Sequence, residues 1–509
     1  MSREIELKLA LPRRALPALR RHALVAASEK IGTASTLDNT YFDTPSLVLK
    51  AHKVAVRTRR QGRQLLQTVK CAALSSGGLS SRPEWEQPWT GNFDFSAVDQ
   101  PEAARLLARH QHALVPVFTT RFRRETRRYA PAPGVSILLM IDTGEVRVRT
   151  ADGTEHSAPI CELELELECG RAQDLIELAC TLAQDLPLMP ADISKAERGY
   201  RLFLGTPLSP VRAEPPSIDA GQNVVDAFRT LALSCVRQWQ GNAAAALAQA
   251  DADELHPEFI HQLRVSQRRL RALLKLFAPA LPENFAGTWN ARLRDNANRF
   301  GDVRDLDVFH AELLAPVTPE GLADAGAMAA LIDAVQQARN AARQFARHNL
   351  DMATQGRLLL TFTADLHRLP VGSLAAAADL RAFARLRLNR LRKRTRRQAE
   401  AAATLEPARL HALRIGFKLL RYGVEFFAPL FPARPLKRYL DGVVRTQTTL
   451  GFLQDVDIAH QRLTTWSRAN PAIASAAAFV LGWHAPRYAR LRRRVLRQSA
   501  PLLTGRKPW

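Results

Sequence analysis

The sequence predicts an α+β chain in two parts: an antiparallel β barrel with flanking helices, then an all-α domain of two repeated helical bundles. Three observations carry this. Through residues 1–205, apolar and charged side chains alternate in short runs with the period of two that a strand requires. Residues 205–221, GTPLSPVRAEPPSIDAG, hold four prolines and no periodicity, which is the composition of a linker. Beyond them lie Ala-, Leu- and Arg-rich helical patterns, and that half repeats itself at an offset of 150 residues. The expected organisation is a first domain over 1–205, a linker over 206–221 and a helical domain over 222–509, with repeats at about 222–370 and 377–509.

Strand patterns occupy 3–9, 53–59, 64–70, 83–89, 117–123, 136–141 and 160–168, and helical patterns interrupt at 12–27, 101–113 and 171–186. The first strand, REIELKL, places Glu4, Glu6 and Lys8 on one face and Ile5, Leu7 and Leu9 on the other. CELELELE repeats the device with Glu162, Glu164, Glu166 and Glu168, and RPEWE with Glu84 and Glu86. Cationic strands stand against these: VAVRTRR with Arg57 and Arg59, LLQTVK with Lys70, and TTRFRRETRR with Arg121, Arg123 or Arg124. Alternating glutamates on a single strand read as a solvated face. Several acidic and several basic strands in one domain of about 200 residues read instead as a closed barrel with a charged lumen. Such a lumen has a chemical use. Lys and Arg bind phosphate oxygens, Arg bidentately, while carboxylates hold divalent cations that bridge to phosphate.

In the second half, HQLRVSQRRLRALLKLFAPALPE begins at His261 and HALRIGFKLLRYGVEFFAPLFPA at His411. The same offset pairs Gly301 with Gly451, Asp305 with Asp455, Asp307 with Asp457 and His310 with His460. On a helix, His261, Arg264, Arg268 and Arg271 form one stripe, and His411, Arg414, Lys418 and Arg421 repeat it. Ordered cations on paired helices suit a long phosphate polymer. Protonation of His261 and His411 near pH 6.5 is expected to strengthen such binding. The aspartates are read as orienting the arginines rather than binding metal. The chain's net charge of +23 is concentrated here: 43 of the 72 Lys and Arg and 23 of the 49 Asp and Glu lie in residues 220–509. A field of that sign attracts polyanions. The basic runs 385–397 and 487–497 lack an aromatic stacking stripe, so no specific nucleic-acid recognition is expected.

Five cysteines, at 71, 161, 169, 180 and 235, form no CxxC pair and are odd in number, which points to reduced thiols rather than disulfides or a zinc site. No uncharged run of 18 or more residues occurs, so no transmembrane segment is expected and the reading is a cytoplasmic protein.

EIELK resembles the ExExK signature of the CYTH family, the triphosphate tunnel metalloenzymes. YFDTP (41–45), RPEWE, IDTGEV (141–146), PICELELEL (159–167) and SKAERGY (194–200) follow in that family's order. The resemblance implies an eight-stranded antiparallel tunnel and metal-dependent hydrolysis of inorganic triphosphate with Mg²⁺ or Mn²⁺. By the same resemblance, Glu4 and Glu6 are catalytic and metal-binding, joined at the metal by Glu162 and Glu164. Lys8, Arg57, Arg59, Arg124, Lys195 and Arg198 bind substrate, and Tyr41 and Lys70 match a catalytic tyrosine–lysine pair of thiamine triphosphatases. Asp142 is read either as a residue of the turn DTGE or as a neighbour of the metal. Adenylate cyclase or thiamine triphosphatase activity, or a non-catalytic polyphosphate scaffold, are the alternatives. The second half resembles a CHAD domain, which implies polyphosphate binding by both His-Arg stripes and, with it, association with polyphosphate granules. In RDLDVF (304–309) and QDVDIA (454–459), Gln454 stands where the first copy has Arg304. The composition break further predicts that residues 1–210 function alone.

Overall fold

The computed structural model describes residues 3–71, 75–150, 153–249, 256–317, 324–370 and 379–509. The expected start of the second repeat, at 377, lies outside these residues. The chain forms two compact units. The first takes residues 1–210, 243–247 and 351–368, the second 211–242, 248–350 and 369–509.

Eight long strands build the first unit: β1 (Arg3–Ala10), β2 (Ser35–Asp43), β3 (Val54–Gln61), β4 (Gln64–Cys71), β5 (Leu79–Pro88), β6 (Val115–Ala132), β7 (Val135–Arg149) and β8 (Glu155–Cys169). All pair antiparallel in the order β1-β5-β4-β3-β2-β6-β7-β8, and β8 returns to β1, so the sheet closes into a barrel. Two-residue strands add to its edges: Glu29–Lys30 on β6 and Met189–Pro190 on β1. Seven of the eight strands coincide with alternating runs in the sequence. The eighth, β2, does not: its buried positions are Leu37, Asn39, Tyr41 and Asp43, an alternation in burial that is not one in hydropathy.

The barrel is turned inside out relative to an ordinary core. Leu7 and Leu9 of β1, Ile137, Leu139 and Ile141 of β7 and Leu163 and Leu165 of β8 face outward. There they are buried beneath α1 (Ala172–Asp185), through Leu175, Ile176, Ala179 and Leu182. Because strand side chains alternate, the charged partners of these residues point into the lumen. Register fixes which charges meet. Glu4 lies opposite Arg82, Lys8 opposite Glu164, Lys70 opposite Glu84, Arg124 opposite Asp142 and Asp142 opposite Glu162. A second apolar cluster joins Leu37, Phe118, Phe122, Val146 and Ile160 to Tyr200 on α2 (Lys195–Phe203), which brings the start of α2 to the lumen.

The second unit is helical: α3 (Val224–Ala248, apart from 243–247), α4 (Pro257–Phe277), α5 (Phe285–Asn298), α6 (Gly301–Val308), α7 (Ala325–Asn349), then α9 (Leu380–Ala401), α10 (Pro407–Phe426), α11 (Ala433–Ala469) and α12 (Ala474–Thr504). The intervening α8 (Met352–His367) belongs to the first unit, where Leu360 and Ala364 enter the apolar cluster outside β1 and β8. The sequence repeat is structural. α4 and α10 both begin with proline in the first turn and both end in a single 3₁₀ turn, Ala278–Ala280 and Ala428–Leu430. The copies then diverge: α5 and α6 break at Arg299 and Phe300, while α11 runs unbroken through the corresponding stretch. Among the described residues, no helix is long and apolar enough to cross a membrane.

Candidate active site

The lumen is a cavity of about 930 Å³ whose walls carry carboxylates from β1, β5 and β8 and cations from β1, β3, β4, β5, β6 and α2. Two clusters organise it. In the first, Glu4 accepts hydrogen bonds from Lys70 Nζ at 2.9 Å and Arg82 Nε at 3.2 Å. Glu6 accepts from Lys8 Nζ at 2.6 Å, Ser80 Oγ at 3.1 Å and the other arm of Arg82. Lys70 reaches Glu84 as well, at 2.8 Å. In the second, Lys195 Nζ sits among Asp142 at 2.7 Å, Glu164 at 3.0 Å and Glu162. Arg124 forks onto Asp142 with bonds of 2.8 and 2.6 Å and also meets Glu164, while Arg198 donates to Glu162 at 3.0 Å.

Burial works against every one of these charges, and the pairing decides the outcome. Desolvation would neutralise Lys195, but Asp142, Glu162 and Glu164 outweigh it and its pKa is raised. Desolvation would likewise lift Glu164, yet Lys195, Arg124 and Lys8 hold it well below the usual carboxylate range. Glu166 lacks such neighbours in balance. Burial first, then the charge of Glu4, push its carboxyl up to about 7. Arg59, buried beside Arg57 and Arg124, is lowered to about 10.

Tyr41, Arg57 and Arg59 form the facing wall. Arg57 Nη1 donates to the Tyr41 hydroxyl at 3.4 Å, and Arg59 Nε donates to Asn39 Oδ1 at 3.0 Å. Their carboxylate neighbours are distant, Glu84 and Glu86 each at 3.7 Å. Nε and Nη2 of Arg57 are buried without a hydrogen-bond partner. Unpaired buried donors are costly, and an anion set against this wall would satisfy them.

The structure brings Glu4, Glu6, Lys8, Tyr41, Arg57, Arg59, Lys70, Arg124, Glu164 and Lys195 together around one lumen; Glu162 adjoins it through Lys195, Arg198 donates to Glu162, and Glu168 lies elsewhere, exposed and paired with Arg128. It also settles the register of RFRRE: Arg124 points in, whereas Arg121 is exposed and pairs with Asp38 at 3.4 Å. Asp142 is no turn residue. β7 runs straight through DTGE, and Asp142 is buried with Glu162 and Glu164, ligand oxygens of the three lying within 4.8 Å of one another. Arg82 went unrecognised although it shares the strand parity of Glu84 and Glu86. The three buried carboxylates could hold a divalent cation, in the space now shared with Lys195 Nζ and Arg124.

In the helical unit the two stripes face different partners. Arg268 Nε donates to the Tyr422 hydroxyl at 2.9 Å, Arg271 Nε to Asn290 at 3.1 Å and Arg421 Nε to Glu425 at 2.7 Å. Arg264 donates to the carbonyl of Ala297. His411 bonds Gln454, so the glutamine of the second copy serves as a histidine partner. Arg414 Nε is buried without a hydrogen-bond partner. Burial, then Arg414 and Arg268, lower Lys418 to about 7. Of the four aspartates, Asp307 pairs with Arg339 at 3.0 Å and Arg343 at 3.2 Å and Asp457 accepts from Tyr488 at 2.8 Å, while Asp305 and Asp455 lie near Arg264 and Arg414. One expectation is corrected. His261 does not titrate near 6.5, because burial and the neighbouring Arg304 lower it to about 4.

A closed antiparallel barrel with a lumen of paired carboxylates and cations, followed by a twice-repeated basic helical unit, defines a two-domain class of protein. The chain belongs to it by sequence as well: residues 2–200 match the CYTH domain and residues 230–464 the CHAD domain, so it is a CYTH domain followed by a CHAD domain. It is similar to an inorganic triphosphatase of Haemophilus influenzae, 30% identical over 211 residues, which is 40% of this chain. The match spans only 55% of that relative's length. It is also similar to the crystal structure of the CHAD domain from the plant Ricinus communis, with 28% identity and a TM-score of 0.51 over 59% of this chain and 99% of that one.

Proposed function

We propose that the tunnel hydrolyses inorganic triphosphate with the help of a divalent cation, Mg²⁺ or Mn²⁺, and that the helical unit binds long-chain polyphosphate. The observation that carries the first part is the asymmetry of the lumen. One wall offers Arg57 with unpartnered buried donors and Arg59 beside it, and the opposite side gathers Asp142, Glu162 and Glu164. Arg57, Arg59, Lys8 and Lys70 bind and neutralise phosphoryl oxygens, and bidentate guanidinium contacts fix the chain's orientation. Tyr41 is buried. Desolvation opposes its ionisation, but Arg57 prevails and lowers its pKa, so its hydroxyl is a strong donor towards the same oxygens. Arg124 and Lys195 hold the carboxylates in place, with Glu4 and Glu6 as a second acidic group along the wall. A bound divalent cation supplies charge neutralisation at the reacting phosphoryl group and an activated water. The relative's name, inorganic triphosphatase, supports this reading of the tunnel.

The polyphosphate reading of the helical unit rests on the paired stripes, above all on Arg414 with its unpartnered buried donor beside Arg268 and Lys418.

Phosphate release from tripolyphosphate, ATP, thiamine triphosphate and long polyphosphate, each with Mg²⁺ or Mn²⁺, tests the proposal. Tripolyphosphate is the expected preferred substrate, EDTA silences the reaction, and Glu6→Gln lowers the rate by orders of magnitude. Preference for thiamine triphosphate, or cyclisation of ATP, sinks the substrate assignment.

A further inference from the structure

The main chain of Lys8 is held on one side by two short segments. Its N–H donates to the carbonyl of Gly78 at 2.9 Å, and its carbonyl accepts from the N–H of Ala191 at 2.9 Å. The two segments are tied to each other, since Asp192 accepts from Gly78 N–H at 2.9 Å and from Ser75 Oγ at 2.6 Å. Both rest on α8. At Gly77, a Cβ would meet the Thr363 side chain at 2.9 Å, and Gly77 and Gly78 both have φ in the left-handed region, at +67° and +81°. At Gly356, a Cβ would lie 1.7 Å from the carbonyl oxygen of Leu188 and 3.2 Å from Met189. The helix therefore seats its own backbone against 188–189 and its Thr363 side chain against 77. Thr363 is fixed in turn by a bond to the Leu359 carbonyl at 2.8 Å. Leu360 and Ala364 pack into the cluster containing Leu7 and Leu9, the residues flanking Lys8. Arg357 donates to the Gln184 carbonyl at 3.2 Å, and Arg368 pairs with Glu177 at 3.1 Å.

We infer that α8, encoded beyond the proline-rich stretch, is a positioning element of the tunnel: it clamps the 75–79 turn and the 188–191 segment, and through them fixes Lys8 and the Glu4–Glu6–Lys8 face. The tunnel is then a discontinuous unit. Residues 1–210 lack its clamp, and the helical half of the sequence has a direct hold on the substrate face. As far as this concerns substrate, it rests on the triphosphate reading above.

The test uses the full chain. Gly356→Leu lifts α8 from 188–189 without touching a lumen residue, and Gly482→Leu on α12, where a Cβ meets nothing within 4 Å, is the control. Hydrogen exchange at the amides of Lys8 and residues 75–79, and calorimetric binding of tripolyphosphate in EDTA, are the readouts. Gly356→Leu should speed exchange at Lys8 at least tenfold and weaken tripolyphosphate binding about tenfold, with Gly482→Leu matching the parent in both. If Gly356→Leu does not fold, Gly356→Ala carries the same comparison with a single methyl. Unaltered exchange at Lys8 in a folded variant overturns the clamp. Faster exchange with unaltered affinity overturns its role in substrate positioning. If the parent itself binds no tripolyphosphate, the substrate reading falls, and exchange at Lys8 still decides whether α8 is a clamp.

Discussion

The tunnel and the helical stripes both concentrate cations, but they treat them differently. Lys195 is buried among three carboxylates and is kept charged, whereas Lys418, buried beside Arg414 and Arg268, is lowered to about 7. In the tunnel most cations, Lys8, Lys70, Arg82, Arg124 and Lys195, have carboxylates within hydrogen-bond reach, and Arg57 and Arg59 are the exceptions. In the stripe, burial and like-charge neighbours leave Lys418 and Arg414 short of countercharge, though Arg421 has Glu425. Desolvation is common to both, and the supply of carboxylates decides whether a buried cation stabilises the fold or waits for an anion.

The largest expected effect breaks the tunnel side of this comparison. Lys195→Met leaves Asp142, Glu162 and Glu164 buried without their central cation, a loss of about 3–5 kcal/mol for an uncompensated buried charge. Thermal denaturation should show a steep fall in stability that Mg²⁺ or Mn²⁺ partly restores. An undiminished melting temperature in EDTA would mean the trio needs no cation. Next, changing Arg264, Arg271, Arg414 and Arg421 to Ala should weaken polyphosphate binding about a hundredfold more than four alanines placed in 385–397 or 487–497. Equal losses from either set would reveal a diffuse polyanion surface, since counterion release counts cations rather than their places. For Arg57→Ala, the loss of charge-assisted bonds worth about 1.5–3 kcal/mol weakens tripolyphosphate binding roughly 10- to 100-fold, read by calorimetry. The smallest effect is a pH dependence. Lys418 in the free protein is charged below about 7 and neutral above it, so polyphosphate affinity should fall as pH rises through 7, by at most about tenfold per unit. Without ligand the sign for stability is opposite. The unfolded chain binds the extra proton between about 7 and the ordinary lysine range, so this group's contribution to stability rises across that window. Lys418→Arg should flatten the binding profile, and a profile unchanged by it would assign the titration elsewhere.

Much of the tunnel was legible because its chemistry uses the same alternation as its fold: a strand that must bury leucine outward and present glutamate inward writes both in one pattern. Arg124 rather than Arg121 was decided by register with β7, which local sequence does not carry. β2 escaped because Asn39 and Asp43 occupy buried positions. Asn39 donates to Thr120 Oγ1, and Asp43 accepts the backbone N–H groups of Thr44, Leu49 and Lys50 and the Tyr200 hydroxyl. Polar groups satisfied inside a wall look, in sequence, like a loop. The pairing of Asp142 with Glu162 was within reach, since both lie on inward faces of adjacent strands, but DTGE reads locally as a turn. The seating of α8 on 77 and 188 had no local signal at all. It depends on backbone approach at Gly356 and on contacts between residues far apart in the chain.

The closure of the barrel has a consequence for how the protein is made. β1 pairs with β8 through Glu6 and Glu166, and with β5 through Glu6 and Ser80. At about 5–20 residues per second, a ribosome needs roughly 8–30 seconds after making β1 to deliver β8. It takes about as long again, or slightly longer, to deliver α8. Until β8 and the helix after it are made, Leu7 and Leu9 lack the larger part of their cover and Lys8 lacks Glu164 opposite it, whereas Glu4 and Glu6 already have Lys70, Ser80 and Arg82. The barrel therefore closes late, in the slow regime set by its long-range pairings.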